Sequence, residues 1–475
     1  MAPLLAQLAE SFCRVERFGN SIARRRRLAA VLCGLLVLLV RAAELPRLPI
    51  PEPWIHDEFA NLLAADTFAS GRLTNATHPM WEHFESFHII QFPTYMSVYP
   101  PGQGMVMAAG QVFFGHPWWG VFFSTGVFCC ALCWMLQGWL PPGWALLGGL
   151  LVAMRIGVFS GLMNSYSGTS LAGIGGALVL GALPRIIQHP RVRHAIYMAL
   201  GLAVLANTRP FEGLVLSVPV AGALLFWMVA RKPGFRIAIT KVAVPLALVL
   251  LPAALATCYY CWRVTQNPFQ MPYQLGRDTY AVAPLFLWQP LRPEPVYHHE
   301  VMRQFYVEWE PRFQGAMIQN NLDGWLLAAH SKVSRAWHFY LGFALTLPLI
   351  AFPCVIKDRR VRFLLLSAPV MLTGLVLSRY TQPNYLPPLA GVCYVIVMQS
   401  MRHLRQWRVR GHQAGLLLVR AVCFACCAAF LGHAITPHAD PPYPGNLERA
   451  QILRRLESLP GGQLVIVRYS PEHDP

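Results

Sequence analysis

Hydrophobic runs alternate with short polar segments along most of the 475-residue chain. A helix needs about 20 mostly apolar residues to cross the hydrocarbon core of a bilayer. Runs near that length recur along the sequence, and we predict a membrane-spanning helix in each of eleven: 28–43, 117–138, 144–160, 168–184, 194–206, 211–230, 237–257, 336–356, 361–378, 384–400 and 414–434. The predicted fold class is therefore an all-α polytopic membrane protein.

One further apolar run, 102–115, is too short to cross. As a helix it would be about 21 Å long, whereas the hydrocarbon core is about 30 Å thick. We predict a short re-entrant or interfacial helix.

Basic clusters set the expected orientation, because positively charged loops stay on the cytoplasmic side. All the clusters share one side only if 102–115 does not cross. This threading places 19 of the 22 acidic residues on the opposite, outer face, where function should be sought. The clusters are Arg24 to Arg27, 185–193, 231–236, 357–362 and 402–410, and the acidic exceptions are Glu10, Glu16 and Asp358.

Composition supports lipid as the solvent. Only 13% of residues are charged and 55% are hydrophobic, against roughly 25% charged in soluble domains. The net charge of +17 could suggest that the protein binds nucleic acid. The basic residues, however, form short clusters between apolar runs, which is the pattern of cytoplasmic loops in membrane proteins. Most of the twelve cysteines lie in apolar runs as small packing residues, and the Cys258–Cys261 pair could supply only two metal ligands.

The expected organisation is a transmembrane domain, 1–434, with two large outer loops, 44–101 and 258–335. The tail, 435–475, should lie on the outer side. It contains a predicted helix at 446–458 and a predicted strand at 463–469. One helix and one strand cannot bury a core, so the tail is expected to be either the start of a soluble domain or a stub.

An acidic pair, Asp57 and Glu58, follows the first predicted span. Residues 56–70 should form a helix, and carboxylates in its first turn would suit the helix dipole. Simple capping is therefore one interpretation of the pair. Further along the loop, Tyr99 precedes two prolines and the next apolar helix.

This combination resembles the GT-C superfamily, multi-span glycosyltransferases that use sugars linked to polyprenyl phosphate. The similar branches are the protein O-mannosyltransferases and the aminoarabinose transferases. The resemblance covers the first 110 residues, and it implies that Asp57 is catalytic and that Glu58 assists it. The histidine before the pair, His56, and the glycine after Pro-Pro, Gly102, depart from the usual pattern.

The chemistry also requires a cation to stabilise a departing phosphate. Arginine near a membrane is costly and is a functional candidate by default, although it can also extend along apolar surface toward water. Three arginines occur near the predicted outer ends of spans. The predicted substrate-binding residues are Arg209, Arg379, Arg155, Tyr99 and His56.

A segment rich in histidine and glutamate follows in the first loop. A divalent ion bound there could hold the donor phosphate, because these side chains are metal-ligand types. On a helix, Glu82, Glu85 and His88 would share one face. The predicted ligands are His83, Glu85 and His88. The same residues are also ordinary for a wet, aromatic interfacial segment.

We predict an inverting glycosyltransferase of the bacterial inner membrane that acts on its outer side. It would move a sugar from a polyprenyl-phosphate donor to an envelope glycan, lipid or protein, with Asp57 as general base. A transporter or lipid-carrier flippase is the alternative, and it would show inverted repeats and charges at mid-membrane. A structural or assembly factor is a third possibility.

The threading predicts which loops a membrane-impermeant thiol reagent reaches in intact cells. Single cysteines placed in 44–101 or 258–335 should react, because these loops face outward. Cysteines in 402–410 should stay unlabelled, and their reaction would overturn the orientation.

Overall fold

The computed structural model describes residues 2–231, 234–313, 321–380, 382–436 and 444–468. Lys232 of one basic cluster and Tyr469 of the predicted strand lie outside the described residues. The predicted all-α class is confirmed in that most of the chain is helical. One two-stranded sheet is present in the described part.

The elements are numbered here in chain order. The first half contains α1 (Ala2–Arg24), α2 (Arg26–Ala43), α3 (His56–Ala69), β1 (Ile89–Ile90), β2 (Met96–Ser97), α4 (Pro101–Phe114), α5 (Trp118–Trp139), α6 (Pro142–Val152), α7 (Thr169–Gln188), α8 (Val192–Ala206) and α9 (Pro210–Arg231). The second half contains α10 (Phe235–Thr265), α11 (Pro272–Tyr280), α12 (Glu300–Arg303, continued by Gln304–Trp309 and Glu310–Phe313), α13 (Leu322–Tyr340), α14 (Gly342–Ile356), α15 (Arg362–Leu377), α16 (Pro387–Leu404), α17 (Ala414–Ile435) and α18 (Pro444–Glu457).

Within the described residues, five helices are long and apolar enough to cross a membrane, and a sixth crossing arises if one bent pair counts as a single span. The five are α5, α7, α9, α10 and α17, and the pair is α13 with α14. The chain is an integral multi-pass membrane protein. The count of eleven crossings stays a prediction.

The bent pair corrects one predicted boundary. The span expected at 336–356 is preceded by helix, because α13 already begins at Leu322, inside the predicted second loop. The chain then turns by 101° between α13 and α14. Gly342 adopts a φ of +59° there, a left-handed conformation that glycine tolerates without a Cβ clash.

The predicted tail is only partly correct. The expected helix at 446–458 is observed as α18, but residues 463–468, the described part of the expected strand 463–469, form no strand. The described residues there, 462–468, are irregular and mostly exposed. A lone apolar segment has no neighbouring strand with which to pair its backbone groups, which explains the difference.

Contacts between neighbouring helices define two ends of the bundle. The Gln137 side chain, late in α5, donates to the Arg26 carbonyl at the start of α2, at 2.8 Å. At the opposite end, the Arg41 guanidinium lies 4.8 Å from the Trp118 ring centroid. We call the end with Arg26 the basic end and the end with Arg41 the site end.

Both ends of α4 lie near the site end. The Gly102 N–H, in its first turn, donates to the carbonyl of Asn207 just after α8, at 2.9 Å. Near its other end, Gly110 packs against Gly120 in the first turn of α5. Since α5 begins at the site end, the contact of Gly110 lies at that end, and the re-entrant or interfacial position of α4 stays a prediction.

The N-terminal helix α1 accounts for Arg420, a charge inside a predicted span that the sequence left unexplained. Arg420 Nε lies 3.2 Å from a Glu16 oxygen, and Arg405 reaches the other oxygen at 3.0 Å. The carboxylate of α1 thus pairs two arginines at the basic end.

The bundle centre is packed through α5 and α7. About 83% of the most apolar stretch of α7 is buried, against 11% for α10, so α7 is interior and α10 faces lipid. Close approach requires small residues in α7. A Cβ added to Gly176 would lie 2.4 Å from the Pro388 Cα of α16.

This contact predicts that the loss of stability caused by an added methyl group depends strongly on its position within the apolar helices. Gly176→Ala should lower the thermal stability of the purified protein, because forced overpacking costs about 1–3 kcal/mol. The matched control is Gly222→Ala in α9, where an added Cβ meets nothing within 4 Å. Differential scanning fluorimetry in detergent measures both, and equal melting temperatures for the two variants would contradict the packing.

Candidate active site

The acidic pair at the start of α3 is divided between two environments. Glu58 is 1% exposed, and its carboxylate accepts the backbone N–H groups of Trp54 at 2.9 Å and Tyr166 at 3.0 Å. Asp57, one position earlier, points elsewhere and keeps 28% of its side chain exposed. Adjacent helix positions differ by about 100° in direction, so one residue anchors the helix while the other stays partly exposed.

A small hairpin brings two partners to Asp57. Strands β1 and β2 pair Ile89 with Ser97, so the residues just outside them, His88 and Tyr99, come close together. The Tyr99 hydroxyl donates to Asp57 Oδ1 at 2.5 Å, and His88 Nε2 lies 3.4 Å from the same oxygen. His88 has a φ of +61°, a left-handed conformation uncommon outside glycine.

These contacts leave one Asp57 oxygen available. Tyr99 and His88 both contact Oδ1, and none of the described residues donates a hydrogen bond to Oδ2. Burial and the nearby Asp57 carboxylate raise the pKa of Tyr99 well above its ordinary value, so its hydroxyl remains a proton donor. Asp57 is therefore held firmly through one oxygen and can accept a proton through the other.

Arg209 lies within electrostatic range of this carboxylate. Its guanidinium carbon is 3.7 Å from the centroid of the Tyr385 ring. Burial lowers the pKa of Arg209, but Tyr385, Glu212, Tyr99 and Asp57 raise it on balance, so the group remains a cation. Asp57 and Arg209 thus bring a carboxylate and a guanidinium into one region, and we call the region around Asp57, Tyr99, Arg209 and Tyr385 the candidate pocket.

The second loop forms another wall of the pocket. The Phe305 ring of α12 lies 5.8 Å from His88, and the Tyr273 ring of α11 lies 6.4 Å from Tyr99. Behind them, a buried ion pair joins Arg277 to Glu310 at 2.6 Å. This pair places a second guanidinium near the pocket.

His56 belongs to the wall and does not reach outward. Its ring lies edge-on to Phe87 at 4.6 Å and to Phe305 at 5.2 Å. Burial, with a smaller effect of His88, lowers the pKa of His56 to about 4. A neutral ring packed between aromatic rings suits structural support, and substrate binding by His56 stays a prediction.

Arg379 is at the site end but is engaged by backbone. It is 3% exposed, and its guanidinium donates to the carbonyls of Phe286 and Leu287, each at 3.2 Å. The Phe286 ring lies 5.2 Å from Phe211, two residues after Arg209. The two predicted arginines therefore share a neighbourhood, but Arg379 fastens the 286–289 segment.

Arg155 contacts the bend between α13 and α14. It donates to the His338 carbonyl at 2.5 Å and lies beside Gly342. It lies in a π-helical turn, Ala153–Gly157, which follows α6. Arg155 therefore lies at the bend between α13 and α14, whereas Arg209 lies near Asp57.

The predicted metal ligands are separated. Trp81–Phe84 is a short 3₁₀ helix, so the helical face expected for Glu82, Glu85 and His88 is wrong. Glu85 binds the Tyr280 hydroxyl at 2.8 Å and His298 at 3.0 Å, His88 contacts Asp57, and His83 is exposed. In the described ranges, no group of three or more His, Cys, Asp or Glu side chains could hold a metal ion.

Several residues of the pocket were not identified from the sequence. They come from the second loop and from the segment after α15, and the sequence signal was the density of aromatic residues beside single arginines. The segment that follows Arg379 also contains Tyr385, whose ring contacts Arg209. The missed residues are Tyr273, Arg277, Glu310, Tyr380 and Tyr385.

No family model and no curated protein matches the sequence. Among solved structures, ArnT from Cupriavidus metallidurans bound to undecaprenyl phosphate is similar, with 15% identity over 90% of this chain and 72% of that one, at a TM-score of 0.46. The Archaeoglobus fulgidus oligosaccharyltransferase in complex with Zn and sulfate has 11% identity over 93% of this chain and 58% of that one, at a TM-score of 0.48.

The buried His56 predicts a loss of stability in acid. Its pKa is about 4 when folded and 6.5 when unfolded, so the unfolded state binds more protons between these values. The contribution is fully present above pH 6.5 and falls by about 2 kcal/mol by pH 5. Melting temperatures should fall less between pH 7.5 and pH 5 for His56→Phe than for the wild type. His83→Gln, at an exposed histidine, should behave as the wild type, and identical curves for all three would contradict this account.

Proposed function

We propose that the chain is a glycosyltransferase that moves a sugar from a polyprenyl-phosphate donor to an acceptor hydroxyl at the site end of the bundle. The observation that carries the proposal is the pairing of a firmly held carboxylate, Asp57, with a nearby guanidinium, Arg209. A phosphate-linked donor requires one group that accepts a proton and one that stabilises negative charge.

In the proposed reaction, the acceptor hydroxyl attacks the anomeric carbon of the donor sugar. The hydroxyl proton passes to Asp57 Oδ2, a new glycosidic bond forms, and the bond between that carbon and the phosphate oxygen breaks. The electron pair leaves with the polyprenyl phosphate. Arg209 stabilises the developing charge, because a fixed cation in a desolvated pocket acts more strongly than in water. Attack opposite to the leaving group inverts the anomeric centre.

The remaining residues would position these two. Tyr99 and His88 hold Asp57 through Oδ1, and Glu58 holds the first turn of α3 in place. We assign Glu58 to positioning, because its carboxylate is buried and saturated by backbone N–H groups. Arg379 would support the wall through its carbonyl contacts.

The membrane arrangement completes the proposal. With the basic end in the cytoplasm, α4 would be an interfacial helix, and the pocket would open on the outer face. We keep the eleven crossings predicted from the apolar runs. This orientation would then place the active site on the periplasmic side of a bacterial inner membrane. The sugar and the acceptor are set by chemistry beyond these residues.

Substitution of the proposed base tests the function. Asp57→Asn preserves shape but cannot accept the proton, so transfer from a polyprenyl-phosphate sugar should fall by about 10²–10⁴-fold. Asp66→Asn is the matched control, since Asp66 is an exposed acid on the same helix. Activity is measured as radiolabelled sugar transferred by the purified protein, and melting temperature reports folding.

Full activity in Asp57→Asn would overturn the assignment. A flippase without transfer chemistry would instead transfer no sugar in the wild type either, because moving a lipid forms no glycosidic bond. Glu58→Gln should instead reduce melting temperature and activity together, as expected for an anchor.

A further inference from the structure

A second cavity lies on the other face of α3. It has a volume of roughly 670 Å³, within the size range of ligand sites, and its lining comes from the 45–53 segment, α3, the turn before α5 and α18. Phe59 and Leu62 contribute from α3. At about 100° per residue these positions point away from Asp57, so the cavity is distinct from the candidate active site.

The lining is amphiphilic. One part is apolar, formed by Leu45, Ile50, Leu62 and Leu453 together with prolines. The other part carries two guanidinium groups of α18. Arginine at such a boundary is suited to phosphate, which it can bind through two parallel hydrogen bonds.

The positive charge exceeds the negative charge in this lining. Arg454 lies 3.0 Å from Glu52, and Arg449 lies 4.0 Å from the same carboxylate, so one acid serves two arginines. Arg449 Nε is buried and has no hydrogen-bond partner among the described residues. Burial lowers the pKa of His116, although Glu52 opposes this effect. The His116 ring is therefore neutral at neutral pH and does not change the charge of the lining.

Lipid has direct access to this region. Along α2, large apolar residues are exposed on one stripe that leads toward Leu45: Leu28, Val31, Leu35 and Leu39. Phe113, near the end of α4 and three residues before His116, is 76% exposed. Exposed apolar residues on membrane helices face acyl chains, so a lipid headgroup can reach the cavity from the bilayer.

We propose that this cavity binds the phosphate group of an anionic lipid, with the guanidinium groups of Arg449 and Arg454 on the phosphate and the acyl chain along Leu45 and Ile50. The chemistry fits an anionic phospholipid and a polyprenyl phosphate alike. The proposal goes beyond the proposed transfer reaction and does not depend on it.

Occupancy would also stabilise the neighbouring active site. Tyr166 lines the cavity, its hydroxyl donates to the Pro51 carbonyl at 2.8 Å, and its N–H donates to Glu58. A bound lipid would steady these contacts and thereby the first turn of α3, which carries Asp57.

Native mass spectrometry of the full chain, titrated with phosphatidylglycerol, phosphatidylcholine or undecaprenyl phosphate, tests the site. One phosphatidylglycerol should bind more tightly than phosphatidylcholine, whose choline group cancels the charge. Arg454→Ala should weaken this binding by about tenfold, as expected for a lost charge-assisted hydrogen bond. Arg455→Ala, an exposed arginine on the same helix, is the matched control.

Leu453→Trp places a bulky ring in the apolar part of the lining while leaving both arginines, so it should also weaken this binding. Competition by undecaprenyl phosphate would identify the polyprenyl lipid as an occupant, and no competition would identify the phospholipid. Equal binding of phosphatidylglycerol by Arg454→Ala, Leu453→Trp and Arg455→Ala would overturn the proposal. Asp57→Asn should keep this lipid, so failure of the transfer mechanism would be distinguishable.

Discussion

The buried carboxylate of Glu58 is the constraint on which the site depends. A charge removed from water is costly unless it is fully hydrogen-bonded, and the backbone N–H groups of Trp54 and Tyr166 provide that bonding. They come from segments more than a hundred residues apart. Their convergence fixes the entry to α3, and the neighbouring residue, Asp57, is thereby directed into the pocket.

A division of labour among arginines follows from what each guanidinium contacts. Arg379 donates to carbonyls, Arg277 forms a buried ion pair, and Arg209 stacks on Tyr385 within range of Asp57. Carbonyl groups occupy donors of Arg379, whereas Arg209 is held by the ring and hydroxyl of Tyr385 close to Asp57. The stacking makes Arg209 the best candidate for a phosphate.

The sequence pattern predicted those features that depend on residues close together in the chain. Apolar runs located most helices, and the position of Asp57 and Tyr99 around one loop indicated the site. Long-range contacts were not predictable in this way. Residues 322–335 were predicted to belong to the second loop but begin α13, where Lys332 is 2% exposed and donates to the last carbonyls of α15. His88 was selected as a metal ligand, and only the hairpin shows that it contacts Asp57.

The central claim is that Asp57 and Arg209 act on one phosphate-linked substrate. The most direct measurement is an experimental structure of the full chain with bound polyprenyl phosphate and its sugar. The phosphate should contact the Arg209 guanidinium, and the anomeric carbon should lie on the side that faces Asp57 Oδ2. A donor bound with its phosphate away from Arg209, or with Asp57 shielded from the sugar, would contradict the account.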